Sequence, residues 1–331
     1  MKDKKEKIIL SGMRPTGVLH IGNYFCALLP LVKLQDTAEK FFIMIADLHA
    51  LTTLDDSKDL RKNSLALAMA FLASGIDPKR ANIFVQSQIP EHAELANILG
   101  MITPLSILEL NPVYKEMRLE QKENNLGLLA YPVLQAADIL LYKTTGVPVG
   151  KDQEPHIEIA REIARKFNAR FGNILIEPRV ILQKESKIFS LQDPIKKMSK
   201  SHGEKTYISL LDSPEKINEK VKISITDSGK EIIYNPEKKP AISNLLTIYS
   251  LFSKKSIKEI EKKYRERGYA EFKKDLAKVI LEGLAPIQKK YKELEKNPMA
   301  VEKIIKEGTM NARKTAKETM NLVHQKIGFL S

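Results

Sequence analysis

Two loops and one helix carry the side chains best suited to chemistry. The first loop reads Ser11-Gly12-Met13-Arg14-Pro15-Thr16-Gly17-Val18-Leu19-His20-Ile21-Gly22-Asn23. Its glycines let backbone approach a ligand. The helix that follows offers unpaired N–H groups and a positive dipole end, which together suit a phosphate. His20 can donate to a phosphate oxygen, Asn23 adds an amide donor, and Gly22 leaves space for a purine. Val18 and Leu19 follow Gly17, so neither G-x-G-x-x-G nor G-x-x-x-x-G-K-[ST] is present and the usual NAD and P-loop readings fail. Gly and Pro also punctuate any strand-to-helix turn, so the loop by itself leaves both readings open. The second loop, Lys197-Met198-Ser199-Lys200-Ser201, lies between Pro194 and Gly203 with Lys196 beside it. Lysines on a closing loop can meet charge as it develops on a phosphate leaving group; a solvated basic loop would carry the same residues. Asp138 stands on an otherwise apolar helix, where an unpaired carboxylate is costly. Gln135 lies three residues earlier on the same face. Asp138 is read as an acceptor for a ligand or as half of an internal salt bridge to Arg or Lys.

The elements that position these groups alternate. Lys7 to Leu10 reads as a strand, Ile21 to Gln35 as a helix, and Phe41 to Asp47 as a strand nearly continuous in apolar residues, as in strands buried on both faces. Ser57 to Ser74 reads as a helix with Asp56 or Ser57 as N-cap and Gly75 at its end. Ile83 to Gln86 is a third strand and Glu91 to Leu99 a helix; later come a helix from Pro132 to Tyr142, a strand from Val147 to Val149 and a helix from Gln153 to Phe167. This βαβαβα order predicts an α/β fold, a doubly wound parallel Rossmann-type sheet with right-handed crossovers. After about Ser190 the strand signal fades. Ser243 to Phe252, Ser256 to Arg267, Ala270 to Tyr291 and Pro298 to Met320 read as helices. The expected division is a catalytic sheet domain over 1–190 and, over 191–331, the lysine loop and a C-terminal α-helical domain whose last helix packs back on the sheet domain.

Composition sets the class. The chain has 331 residues, enough for a large core and a second domain. No apolar run is long enough to cross a bilayer. The apolar stretch Ile8 to Leu10 after the charged Met1 to Lys7 is too short for a signal peptide, so a cytoplasmic location is expected. The single cysteine, Cys26, excludes an internal disulfide and is read as a buried small hydrophobe; Cys/His zinc spacing is absent, so no zinc is expected. Net charge is +13, and Ser250 to Ser331 carries 20 Lys+Arg against 11 Asp+Glu, while Met1 to Tyr249 carries 34 against 30. A basic C-terminal quarter suits a polyanion such as nucleic acid, and equally a lysine-rich solvated surface.

His20-Ile21-Gly22-Asn23 resembles the HIGH signature of class I aminoacyl-tRNA synthetases, with Asn23 at the final histidine, and Lys197 to Ser201 is the partner KMSKS signature in complete form. Ala46-Asp47-Leu48-His49-Ala50-Leu51, Tyr131 to Tyr142 and Val147-Pro148-Val149-Gly150-Lys151-Asp152-Gln153 resemble the tryptophanyl branch of that family. The resemblance implies ATP-dependent joining of L-tryptophan to tRNA(Trp) through an adenylate, with ATP arriving as its Mg2+ complex. It implies phosphate contacts from His20, Lys115, Lys197 and Lys200, the lysine at 115 coming from Asn111-Pro112-Val113-Tyr114-Lys115-Glu116. ATP would also meet Arg14, Gly22, Asn23, Gly150, Lys151, Asp152, Ile188, Met198, Ser199 and Ser201. Tyr131, Gln135, Asp138, His49, Val149 and Gln153 would line the amino-acid site, with Asp138 receiving the indole N–H. Indole carries one polar atom and it only donates, so a carboxylate is a fitting acceptor. Thr226-Asp227-Ser228 and Ile242 to Leu246 resemble the helical domain, expected to read the anticodon; a homodimer is expected. The iron–sulfur cluster of some relatives needs several thiolates and is not expected here. Some members have Met at the place of Gln135 and Phe at that of Leu10, which keeps tyrosine open as the substrate; Gly150-Lys151-Asp152-Gln153 departs from the Gly-Ser-Asp-Gln usual in the bacterial tyrosyl branch. A tRNA-free nucleotidylyl transferase and a non-catalytic RNA-binding relative are the readings from other classes.

Overall fold

The computed structural model describes residues 7–52, 58–111, 114–115, 118, 125–182 and 187–330, with residue 152 described by its backbone alone. The N-cap expected at Asp56 or Ser57, the residues Pro112, Val113 and Glu116, and the side chain of Asp152 lie outside the described set. The chain forms two compact units that interleave along the sequence instead of following one cut near Ser190. The first contains Met1–Gly17, Leu31–Gln183 and Asn297–Ser331; the second contains Val18–Pro30 and Lys184–Lys296.

The first unit is built on five parallel strands, β1 (Ile8–Met13), β2 (Lys40–Ile45), β3 (Ala81–Val85), β4 (Gly146–Val149) and β5 (Arg179–Leu182), in the order β3-β2-β1-β4-β5. This is the doubly wound order, with the direction of winding reversing between β1 and β4, and ligands bind beyond the carboxyl ends of strands at such a point. Phe41 to Ile45 are all buried, as the continuous apolar run predicts. β1 runs on to Met13 because Ser11, Gly12 and Met13 pair with Ile43, Met44 and Ile45, so the first three residues of the loop read from sequence are strand. β5 was not predicted: four residues, none of them buried, carry too little pattern to be seen.

Helices cover the sheet. Glu154–Phe171 buries Ile157, Ala160, Ile163, Ala164 and Phe167, a stripe at helical spacing. Leu126–Leu141 starts well before Pro132, which sits inside it; Asn125 caps it by accepting from the N–H of Leu128 at 2.8 Å. It packs against Glu91–Gly100 and Glu154–Phe171. The last helix, Pro298–Ile327, lies on β3 in this first unit, with Val301, Ile305, Gly308, Ala312 and Ala316 facing in. Its small residues permit close approach. A Cβ on Gly308 would stand 2.1 Å from the backbone oxygen of Ile83 and 2.8 Å from its carbon and nitrogen. Gly308→Ala is therefore expected to destabilise the first unit by about 3 kcal/mol, the upper range for overpacking, because backbone cannot rotate aside as a side chain can. A denaturant midpoint unchanged by this substitution would mean that the helix does not seat on β3 as described.

The second unit holds the start of the first helix and a set of helices, Pro214–Ile223, Pro240–Ser253, Ile257–Tyr264 and Tyr269–Glu295, the first of which was not predicted. Ser256 and Glu259 close a capping box on the third of these. The first helix is α-helical over Ile21–Asn23, then makes a π-helical turn over Tyr24–Leu28 before Leu29–Leu34. Cys26 lies in that π turn and is half-buried, not buried as expected, because the wide turn swings it away from Phe25 and Leu28, which are buried. Among the described residues no helix is long and apolar enough to cross a membrane.

Candidate active site

In the second unit the two signature segments meet. His20 caps the first helix: its backbone N–H donates to Asn23 Oδ1 at 3.1 Å and its Nδ1 accepts from the N–H of Asn23 at 3.3 Å. A ring that accepts at Nδ1 carries its proton at Nε2, so the cap selects the tautomer that can donate to a ligand. The amide oxygen of Asn23 is thus used in the cap. Gly22 is also explained locally. A Cβ there would meet the His20 ring at 2.9 Å, so the neighbour that needs the space is this imidazole and not only a purine.

The segment after the lysine loop holds His20 from the other side. The N–H of Ile21 donates to Ile208 O at 3.0 Å, that of Leu210 donates to Leu19 O at 2.9 Å, and the rings of His20 and Tyr207 lie 5.9 Å apart. Beneath this bridge sits a buried ion pair that sequence reasoning missed. Lys220 Nζ donates to Asp212 Oδ2 at 2.7 Å, and the same oxygen accepts from the N–H of Ser209 at 2.8 Å. Gln288, on Tyr269–Glu295, donates to the carbonyls of Leu210 and Asp212.

The lysine loop is anchored by Met198, which is buried and whose N–H donates to Ile188 O at 3.1 Å. The backbones of Ile188 and Met198 therefore pair with each other. Ser199 Oγ accepts from the N–H of Ser201 at 3.3 Å, and Thr206 donates to the Ser199 carbonyl. Lys197 is exposed and Lys200 half-buried, and burial lowers the Lys200 pKa. Burial, Lys200 and Lys197, in that order, lower the His20 pKa to about 4. Three donors thus converge on one place, two of them cationic, an arrangement made for a polyphosphate. Between pH 6.5 and 4 the unfolded chain binds a proton that folded His20 refuses, so the His20 contribution lowers stability as pH falls through that window. In function His20 stays neutral: kcat/KM for ATP should show no His20 limb between pH 6 and 8. A limb near 6.5 that disappears in His20→Asn would overturn this.

In the first unit, Asp138 is the centre. Only 1% of it is exposed. Its partners are neither Arg nor Lys: Oδ1 receives Gln86 Nε2 at 2.8 Å and faces His92 Nδ1 at 2.6 Å, while Oδ2 faces His49 Nε2 at 2.8 Å and receives Gln86 Nε2 at 3.0 Å. Burial pushes this carboxyl up, but the hydrogen bonds from His49 and His92 outweigh it and bring it down to about 2, so it is ionised. Behind it, His92 Nε2 meets the Tyr142 hydroxyl at 2.7 Å. Burial, Asp138 and Glu91 raise the pKa of that phenol well above its usual value.

Of the residues expected here, the structure joins His49 directly to Asp138. Tyr131 packs edge-on against the His156 ring at 5.4 Å, its hydroxyl is buried without a partner among the described residues, and burial raises its pKa to about 12. Gln135 is half-buried one turn before Asp138; Val149 is half-buried at the end of β4, and Gln153 is half-buried with its N–H on Gly150 O. Arg14 and Lys151 are exposed, and with Gly150 they follow the ends of β1 and β4 at the switch point. Lys115 is exposed, on a turn where its N–H donates to Asn111 O at 3.1 Å; Asn111 is itself fixed by His156 at 3.2 Å. Gln86, His92 and Tyr142 were not read from sequence, although a buried strand that runs into Gln86-Ser87-Gln88 and then His92 was a signal for polar work at its end. Among the described residues no group of three or more His, Cys, Asp or Glu is placed to hold a metal ion.

A parallel sheet of this order, a capping histidine after its first strand and a lysine loop beside that histidine are the architecture of the class I aminoacyl-tRNA synthetases. The model of the family "tRNA synthetases class I (W and Y)" matches residues 1–285, and the chain belongs to that family. A tryptophan–tRNA ligase of Caldanaerobacter subterraneus subsp. tengcongensis is 44% identical over 326 residues, spanning 98% of this chain and 99% of that one. Among solved structures, the tryptophanyl-tRNA synthetase of Campylobacter jejuni complexed with ADP and tryptophan superposes with a TM-score of 0.86 at 36% identity, over 97% of this chain and 100% of that one. The tryptophanyl-tRNA synthetase of Mycoplasma pneumoniae gives 0.87 at 30% identity, over 98% and 99%.

Proposed function

We propose that this chain is a tryptophan–tRNA ligase. The observation that carries the choice of amino acid is the buried, ionised Asp138, an acceptor with no proton to give, matched to a ring whose one polar atom only donates. The tryptophan carboxylate oxygen attacks the α-phosphorus of Mg-ATP; a new P–O bond forms as the bond to pyrophosphate breaks, and pyrophosphate leaves with the electron pair. No protein nucleophile is needed, so positioning and charge stabilisation carry the step. His20, Lys115, Lys197 and Lys200 meet phosphate. Arg14, Gly22, Asn23, Gly150, Lys151, Asp152, Ile188, Met198, Ser199 and Ser201 hold the rest of ATP. Tyr131, whose buried hydroxyl lacks a partner among the described residues, meets the polar end of tryptophan with Gln153, while Gln135, His49 and Val149 line the ring. The 2′-hydroxyl of the terminal adenosine of tRNA(Trp) then attacks the adenylate carbonyl, and AMP leaves. The helices between 214 and 295 read the anticodon, which their excess of lysine supports. The active form is a homodimer in the cytoplasm; the exposed apolar side chains of Met101, Leu105, Leu110 and Leu126 support self-association.

The test is amino-acid-dependent ATP–pyrophosphate exchange with tryptophan and tyrosine side by side. Exchange with tryptophan alone is expected, and Asp138→Ala is expected to raise the KM for tryptophan at least tenfold. Exchange with tyrosine would keep the class and overturn the assignment of Asp138; exchange with neither would point to a tRNA-free transferase or a binding-only protein.

A further inference from the structure

Asp138 has two oxygens, and the core treats them differently. Oδ1 is filled from inside by Gln86 at 2.8 Å and by His92 Nδ1 at 2.6 Å. Oδ2 has His49 at 2.8 Å and only the longer share of Gln86 at 3.0 Å. Each oxygen thus has two partners, about the full complement of an ionised carboxylate, so a ligand donor must displace one of them, and Oδ2 holds the looser pair. His92 and Tyr142 are buried completely, whereas the His49 side chain is 13% exposed and can give way.

The proton positions in this chain follow from counting donors and acceptors. Among the described residues His92 Nε2 is the sole acceptor within reach of the Tyr142 hydroxyl. A buried hydroxyl proton without an acceptor is costly, so Tyr142 donates to Nε2. Nε2 is then unprotonated and the ring proton is on Nδ1, where it donates to Asp138. Gln86 must likewise turn its NH2 to the carboxylate, and its Oε1 remains buried without a partner among the described residues. The amide tolerates that orphan because its orientation is dictated by the charge.

We propose that Tyr142 and His92 are positioning residues for amino-acid selection: their relay occupies Oδ1 of Asp138 from within the core and so reserves Oδ2, the oxygen shared with His49, for the indole N–H. This rests on the reading of Asp138 as the indole acceptor. Neither residue touches the substrate. With the relay intact the carboxylate cannot rotate and exchange its oxygens. Without it, Oδ1 loses its strongest partner, the carboxylate turns inward or sideways, and the indole N–H meets it at a poor angle.

The experiment compares Tyr142→Phe, His92→Asn and His92→Gln in the full chain, using ATP–pyrophosphate exchange with tryptophan and phenylalanine, together with 15N NMR of histidine-labelled protein. The chain has six histidines, and the His92 signals are assigned by their loss in His92→Asn. The wild type should show His92 as a neutral ring protonated at Nδ1. His92→Gln, whose amide reaches the Nε2 side, should raise the KM for tryptophan about tenfold with kcat within twofold, the loss of about one hydrogen bond. His92→Asn, whose amide keeps the Nδ1-side donor, should restore KM to within about threefold. Preference for tryptophan over phenylalanine should fall in step, a change that mere loosening of the core would not produce. Tyr142→Phe removes one oxygen, folds most readily, and should raise KM while shifting the His92 signals. A wild-type His92 protonated at Nε2, or at both nitrogens, overturns the proposal. So does a KM that is unmoved in Tyr142→Phe, or equal in the Asn and Gln variants. If Asp138→Ala leaves the KM for tryptophan unchanged, the reading beneath has failed instead, while the NMR result still judges the relay.

Discussion

Replacing Lys200 with methionine is expected to lower kcat for ATP–pyrophosphate exchange about 10²–10³-fold, the range for removal of one preorganised donor from developing charge. Lys200 is half-buried beside His20, and the same burial that lowers its pKa strengthens its interaction with an anion, because less water screens the pair. Lys197 is exposed, so Lys197→Met is expected to cost less. In the proposed reaction the ammonium meets the leaving pyrophosphate mainly in the transition state. The loss should therefore fall on kcat, with the KM for ATP changing by less than about fivefold. The measurement is exchange at saturating tryptophan with ATP varied. A Lys200→Met enzyme that retains more than about a fifth of the rate would remove this residue from the chemistry.

The largest effect on stability is expected at Lys220. Its ammonium and the carboxylate of Asp212 are both nearly sealed from solvent, at 6% and 7% exposure. Lys220→Met leaves the carboxylate buried with the Ser209 N–H as its remaining named partner, and breaking such a pair costs about 3–5 kcal/mol. The double substitution Lys220→Met with Asp212→Asn should recover much of that, since the amide oxygen can still accept from Ser209 without a charge to desolvate. Chemical denaturation followed by far-UV circular dichroism measures both. A single variant as stable as the wild type would show that water reaches the pair. Because Ser209 faces His20 in the backbone bridge, the single variant should also lose exchange activity before it unfolds, whereas a pair with no role beyond stability would leave the activity of the folded fraction intact.

The family was legible in two short motifs, and the same motifs named the residues proposed to meet phosphate. His20 to Asn23 and Lys197 to Ser201 are contiguous, and short contiguous segments set their own geometry: the cap between His20 and Asn23 spans three residues and needs no distant partner. The alternation of apolar runs with helical periods was enough for a doubly wound sheet, since period and continuity report burial directly. Weak patterns were lost, as with β5 and the helix Pro214–Ile223, and Asp47 was read as strand although it opens the short helix Asp47–Ala50.

What the buried polar groups touch depends on packing between distant segments. The sequence marked Asp138 as costly to bury but offered an Arg or Lys as its partner. Gln86, His92 and His49 answer it instead, from 52, 46 and 89 residues away. Periodicity states that a side chain faces inward; which groups it meets there depends on how β3, the helix Glu91–Gly100 and the helix Leu126–Leu141 are stacked, and that is settled by packing. The same holds for the last helix. Its return to the sheet domain is expected from the sequence, but that it seats on β3, with Gly308 against the backbone of Ile83, depends on packing.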